Sequence, residues 1–114
     1  MAIKTSTRQV EGIIIVDTIG ELRLGEGTDV LRNVIRDLIG DGYKNMVLNL
    51  RDVRHIDSAG VGELMSCYTS VRNAGGQLKL MNLSKNVHNL LQITKLYTIF
   101  EVAEDEPTAI GSFR

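Results

Sequence analysis

The chain has little of what covalent and ligand-holding chemistry most often needs. Its one cysteine, Cys67, cannot close an internal disulfide and cannot build a zinc cluster alone. With no disulfide framework to place it outside the cell, a reducing cytoplasm is the expected compartment. Tryptophan is absent and aromatic residues make up only 4 %, so platforms for stacking nucleic-acid bases are scarce. Neither sign of charge dominates: 13 Lys and Arg face 14 Asp and Glu, for a formal net charge of -1. No field is built to hold phosphate backbones or acidic lipid, which argues against a nucleic-acid binder. No apolar run approaches the roughly 20 residues of a membrane span. The start, Met1 to Thr7, has no apolar stretch of the kind a signal peptide requires.

What is present is enough for one packed unit. A chain of 114 residues suits a single domain, residues 1–114. Val, Ile and Leu supply 34 of those residues, which excludes a disordered chain. Residues 3–10 read as a polar edge strand, and Glu11-Gly12 as a turn. Ile13-Ile14-Ile15-Val16 is a β-branched run expected of a strand covered on both faces. Residues 19–27 carry Gly20, Gly25 and Gly27 and read as a loop, after which Thr28 or Asp29 is expected to cap a helix. Val30, Leu31, Val34, Ile35, Leu38 and Ile39 give that helix its apolar face, and Gly40-Asp41-Gly42 ends it. Met46–Leu50 is a second buried strand, and 51–57 a polar connection. A helix from about Ser58 turns Val61, Leu64, Met65, Tyr68 and Val71 inward and stops at Gly75-Gly76. Leu78–Leu83 is the next strand, Ser84 caps a third helix, Ile99–Val102 is a short last strand, and Asp105-Glu106-Pro107 starts a last helix. The order is β-β-α-β-α-β-α-β-α. It implies an α/β fold, with a mixed, largely parallel sheet of about five strands covered by helices and the first strand antiparallel at an edge.

Partners and ligands of open α/β sheets gather at the carboxyl ends of the parallel strands. The richest such loop runs from Asp52 to Gly62. On spacing alone Ser58 is an N-cap, a role worth about 1 kcal/mol. It is also placed to accept a phosphoryl group, since a helix start offers free N–H groups and positive dipole. Ala59, Gly60 and Gly62 are small, so they let the helix start pack closely on the sheet and keep the site low for another protein. His55, Asp57 and Ser58 do not make a hydrolase triad, because nearly consecutive residues cannot converge from separate elements. The glycines around Ser58 are also not in the order of a nucleophile elbow. His55 and His88 read as solvent-facing, Cys67 as a small core residue, and Lys79, Lys85 and Lys95 as solvated. Glu104, Asp105 and Glu106 read as a helix-start bias. Gly25-Glu26-Gly27-Thr28 lacks the lysine and spacing of a phosphate loop.

The stretch Met46–Leu50, followed by Ile56-Asp57-Ser58-Ala59-Gly60-Val61-Gly62, resembles the STAS domain, most closely the stand-alone bacterial anti-sigma factor antagonists. The likeness in element order covers essentially the whole chain. It implies that Ser58 is the family's regulatory serine, and that an anti-sigma factor which is also a serine kinase phosphorylates it. The unphosphorylated antagonist holds the kinase and frees a sigma factor; phosphorylation reverses this, and a serine phosphatase resets the switch. The implied partner-binding residues are Glu21, Arg23, Asp57, Ser58, Ala59, Gly60 and Gly62. No cofactor or metal is implied, the protein is a substrate rather than an enzyme, and a monomer or weak dimer is expected. The family often carries a second Ser or Thr where this chain has Ala59, and an acid where it has Arg23. The rival readings are a non-switching STAS scaffold module in a larger signalling or lipid-transport assembly, a small-ligand or nucleotide-binding domain and, ranked lowest for want of a converging acid, base and nucleophile, an enzyme.

Overall fold

The computed structural model describes residues 3–113. Strand β1 (Lys4–Val10) reverses at Glu11 and Gly12, both at positive φ, into β2 (Ile13–Leu22). Two left-handed residues give the turn the twist a tight hairpin needs. Then follow α1 (Glu26–Gly40), β3 (Asn45–Ile56), α2 (Ser58–Asn73), β4 (Gln77–Met81), α3 (Lys85–Ile93), a 3-10 turn at Leu96–Thr98, β5 (Val102–Ala103) and α4 (Glu106–Gly111). The strands lie in sequence order, with β1 antiparallel to β2 and all other pairs parallel. Right-handed crossovers that step one way across a sheet put their helices on one face. Leu31 and Ile35 of α1, Val61 and Leu64 of α2, and Val87 and Leu91 of α3 accordingly share one core with Ile14, Val16, Met46, Leu48 and Leu80. Ala109 and Ile110 of α4 cover Ile13, Ile15, Val47 and Met81 on the other face. The run Ile13–Val16 is thus buried on both sides, as its composition predicts.

Two strands run further than their apolar stretches. β2 continues through residues 19–22, where a loop is expected, and β3 through 51–56, where a polar connection is expected. The cause is the shortness of α4. It covers only the lower part of its face, so the carboxyl ends of the strands are solvated there and accept Asp17, Asn49 and Arg51. Glycine at position 20 (φ 124°) fits the irregular register of β2 on β3 rather than a loop.

The other boundaries move by a few residues. α1 begins at Glu26, capped by Gly25 at φ 104°, not at Thr28 or Asp29. Thr28 instead closes the first turn from inside: its Oγ1 donates to the Gly25 carbonyl (3.0 Å) and accepts from the Gly25 N–H (3.2 Å). β4 stops at Met81 because Asn82 turns to the left-handed region (φ 54°), which asparagine tolerates. The last strand is Val102–Ala103 rather than 99–102; Leu96–Thr98 forms the 3-10 turn and Ile99 stays exposed. Ser84 caps α3 as expected, accepting from the Val87 N–H (3.4 Å) while donating to the Val53 carbonyl (2.7 Å). Asp105 caps α4 with an acceptor for the Thr108 N–H (2.9 Å).

Lys79 is not solvated. It sits beside Val47 on the α4 face, only 5 % exposed, and its Nζ reaches the Ser112 carbonyl (2.8 Å), Ser112 Oγ (2.9 Å) and Glu101 (2.7 Å). It also lies 4.4 Å from the centre of the Phe113 ring. One cation therefore ties the end of α4 and the approach to β5 onto β4. Lys79→Ala is expected to cost about 1–3 kcal/mol, because several partners lose their hydrogen bond at once. Urea unfolding would read the loss, and amide exchange should show α4 loosening first.

Candidate functional site

The carboxyl ends of β2 and β3 and the first turn of α2 meet at one place. β3 leaves the sheet at Ile56, and Asp57 is extended (φ -114°, ψ -176°) before Ser58 begins the helix. The cap of α2 is Asp57 rather than Ser58: Asp57 Oδ1 accepts from the Gly60 N–H at 2.8 Å. Its Oδ2 accepts from the Leu24 N–H at 3.1 Å, across the gap from the β2–α1 loop. The Asp57 N–H in turn donates to the Leu22 carbonyl (3.4 Å). Hydrogen bonds from the Leu24 and Gly60 amides hold the Asp57 carboxyl below the usual carboxylate range.

Ser58 is consequently relieved of capping. It is exposed in the first turn of α2, and among the described residues no side-chain hydrogen bond engages its hydroxyl. Ala59 beside it is half-buried. The two glycines differ. A Cβ on Gly60 would lie 2.2 Å from the Leu22 carbonyl oxygen and 2.8 Å from Ile56 Cγ1. A Cβ on Gly62 would meet nothing within 4 Å. Close packing on the sheet is thus required of Gly60 only, and Gly62 leaves an open, low surface.

Glu21 is half-buried near the end of β2, with Arg23 Nη1 at 3.7 Å and His55 Nε2 at 3.8 Å from its carboxylate. Arg23 projects beyond the strand and is exposed. His55 is exposed on β3 rather than in a loop, and no hydrogen bond among the described residues links it to Asp57 or Ser58 as a relay would require. His88 of α3 is half-buried, with an edge-on contact to Tyr97 (centroids 5.6 Å, 83°), so the solvent-facing expectation fails for it. Cys67 is a core residue as expected. Burial, with Glu63 beside it, pushes its thiol well above the usual range.

Three contributors to this site are not evident from the sequence. Leu24 holds its side chain 79 % exposed while its amide is bound by Asp57. Gly27 lets α1 approach β2 so closely that a Cβ would come within 2.5 Å of the Glu21 carbonyl oxygen. Ile93 of α3 is 76 % exposed at the rim of a cleft of about 330 Å³, which Arg23, His55, Ile56 and Leu90 also line. A lone leucine between an arginine and a glycine is the only sequence signal for the first. For Gly27 there is none beyond its neighbour Gly25. A larger cleft, about 380 Å³, lies by Gly76, Gln77 and Arg72, where β4 starts and α2 ends, away from the strand ends that hold Ser58.

Known proteins resemble this chain in sequence and in fold. The family model described as STAS domain matches residues 4–109. The chain is 33 % identical over 103 residues to the anti-sigma-B factor antagonist of Bacillus subtilis, covering 90 % of this chain and 93 % of that one. Against the anti-sigma F factor antagonist of Paenibacillus polymyxa it is 27 % identical over 100 residues, covering 87 % and 85 %. Among solved structures, an anti-sigma factor antagonist from Mycobacterium paratuberculosis superposes with a TM-score of 0.82 at 20 % identity, over 96 % of this chain and 92 % of that one. SpoIIAA in its unphosphorylated form gives 0.80 at 22 % identity, over 97 % and 96 %. At those identities the structural likeness speaks for the fold.

Two outcomes are expected of this site. Gly60→Ala should destabilise the protein by about 1–3 kcal/mol through overpacking, whereas Gly62→Ala should be neutral or stabilising by up to about 1 kcal/mol; paired denaturation curves separate them. The depressed Asp57 carboxyl contributes stability that is present above its unfolded value of about 3.9 and is lost as the pH falls through the lower folded value. A carbon-13 titration of the carboxyl should place its midpoint below that of the unfolded chain.

Proposed function

The chain belongs to the STAS domain family, and from that premise we propose that it is an anti-sigma factor antagonist switched by phosphorylation of Ser58. One observation carries the switch: the first-turn serine of α2 is exposed and has no capping duty, because Asp57 performs it. A partner kinase can take this hydroxyl without unwinding the helix. The Ser58 Oγ attacks the γ-phosphorus of ATP, ADP departs, and the hydroxyl proton passes to a base of the kinase. The product carries about -1.5 to -2 charge at a helix start, where free N–H groups and the macrodipole accept it.

Partner contact is assigned to Glu21, Arg23, Asp57, Ser58, Ala59, Gly60 and Gly62. Unmodified, this low surface binds the anti-sigma factor kinase and withholds it from a sigma factor. A phosphate at the centre of such an interface is desolvated beside Asp57. Charges mispaired in this way cost on the order of 2–5 kcal/mol, enough to release the partner. A serine phosphatase restores binding. The reading places the protein in the cytoplasm as a monomer or weak dimer, and makes it the substrate of the chemistry rather than its agent. Arg23, where the family often has an acid, bears on which kinase is recognised.

The test is incubation with the cognate kinase and ATP, then mass mapping. A single phosphate at Ser58 is expected. Kinase binding should persist in Ser58→Ala and fall at least tenfold in Ser58→Asp. Modification elsewhere would overturn the switch, and equal binding by all three proteins would favour a constitutive scaffold.

A further inference from the structure

Resting on that reading, we infer that Asp57 is a latch through which the charge state of Ser58 controls the position of Leu24. The carboxylate of Asp57 has two separate tasks. Oδ1 caps α2 through the Gly60 N–H at 2.8 Å, which is all that the helix requires. Oδ2 takes the Leu24 N–H at 3.1 Å, from a loop 33 residues earlier in the chain. That second bond adds nothing to the helix. It fixes a backbone amide whose own side chain is 79 % exposed, so it orders an apolar group that points at solvent.

The Leu24 peptide unit and its side chain have freedom to move once released, although Arg23 and Gly25 stay bonded to the first turn of α1. Leu24 is followed by Gly25 at φ 104°, where even an added Cβ would meet nothing within 4 Å, before α1 begins at Glu26. Upstream, Leu22 is pinned by its carbonyl to the Asp57 N–H. The Arg23 carbonyl accepts from the Thr28 N–H (3.1 Å) and Gly25 is bonded to Thr28 and Asp29, so between these ties the Leu24 amide is held by Asp57 Oδ2.

A phosphate on Ser58 stands one residue from that carboxylate. Two anions at one helix start compete for the same N–H donors, and their repulsion favours whichever arrangement separates them. The Gly60 amide lies inside the first turn, within reach of both; the Leu24 amide belongs to a separate loop. Phosphorylation thus weakens the hold on Leu24 first. The partner loses two things together: a neutral surface at Ser58 and an ordered apolar anchor beside it. The matching surface on the kinase is an apolar socket for Leu24 next to the groove that receives Ser58.

Asp57→Asn isolates the latch. Asparagine is as good a helix cap as aspartate, so its oxygen keeps the Gly60 bond, while its NH₂ meets the Leu24 N–H as donor against donor. The expected results are a modestly lowered unfolding midpoint, since the charge and the Leu24 bond are both lost, Leu24 amide exchange at least tenfold faster than in the wild type, and unchanged exchange at Leu64 within α2. Protein made with phosphoserine incorporated at position 58 during synthesis needs no kinase, and should show the same loss of Leu24 protection. Unchanged Leu24 exchange in the phosphoserine protein overturns the latch, whether or not the Asn variant folds. Loss of protection in both proteins, with no kinase found that modifies Ser58, leaves the latch standing and removes the antagonist reading instead. Leu24→Ala should weaken kinase binding about as much as Asp57→Asn does; full binding by Leu24→Ala overturns the anchor.

Discussion

Two helices begin against the end of one strand, and much of the molecule's upper end follows from that crowding. The last two residues of β2 offer their backbone to α1 and α2 alike: Gly27 lies against the Glu21 carbonyl, and Gly60 against that of Leu22. Neither approach admits a side-chain carbon. Such contact brings the β2–α1 loop and the α2 start close enough for one aspartate to bond both. Glycine weakens each helix by up to about 1 kcal/mol relative to alanine. Here that loss is the condition of the geometry, since any larger residue would push the two loops apart.

Away from this junction, polar side chains do the joining that a short α4 leaves undone. Arg8 on the edge strand binds Asp17 on β2 and Glu106 at the start of α4. Asn49 donates to Asp17 at 2.8 Å and accepts from Asn82 beyond β4. This line of bonds crosses the sheet just above the apolar patch under α4. On the opposite face, Arg32 reaches the buried carboxylate of Glu63 at 2.6 Å and links α1 to α2. Both faces are therefore fastened by charge at places where apolar cover runs out, and no buried side-chain N or O among the described residues lacks a partner.

Element order, sheet type and the inward faces of α1 to α3 were legible in the sequence, because long apolar periodicities leave little choice. The strand ends were not: residues 19–22 and 51–56 set single buried apolar residues, Leu22 and Val53, among polar ones on a face that α4 does not reach, so composition mimics a loop. Ser58 and Asp57 are adjacent and both good caps, and only the exit path of β3 decides that the aspartate turns back onto Gly60. Gly60 and Gly62 look equivalent in the sequence, yet two residues apart on a helix face nearly opposite ways. Lys79 shows the same limit in a strand. Its neighbours Leu78 and Leu80 face the three-helix side, so the lysine must enter the other core, and its partners Ser112 and Glu101 lie more than twenty residues away in the chain.

Placing the cap one residue before the exposed serine separates duties that sequence proximity would merge. Folding draws on position 57, whereas position 58 contributes only a hydroxyl to the outside. A protein arranged this way can lose, regain or exchange its acceptor side chain with little penalty to the domain. Substitutions at Ser58 should therefore spread or vanish among descendants according to what their partners demand, while those at Asp57 and Gly60 remain answerable to the fold.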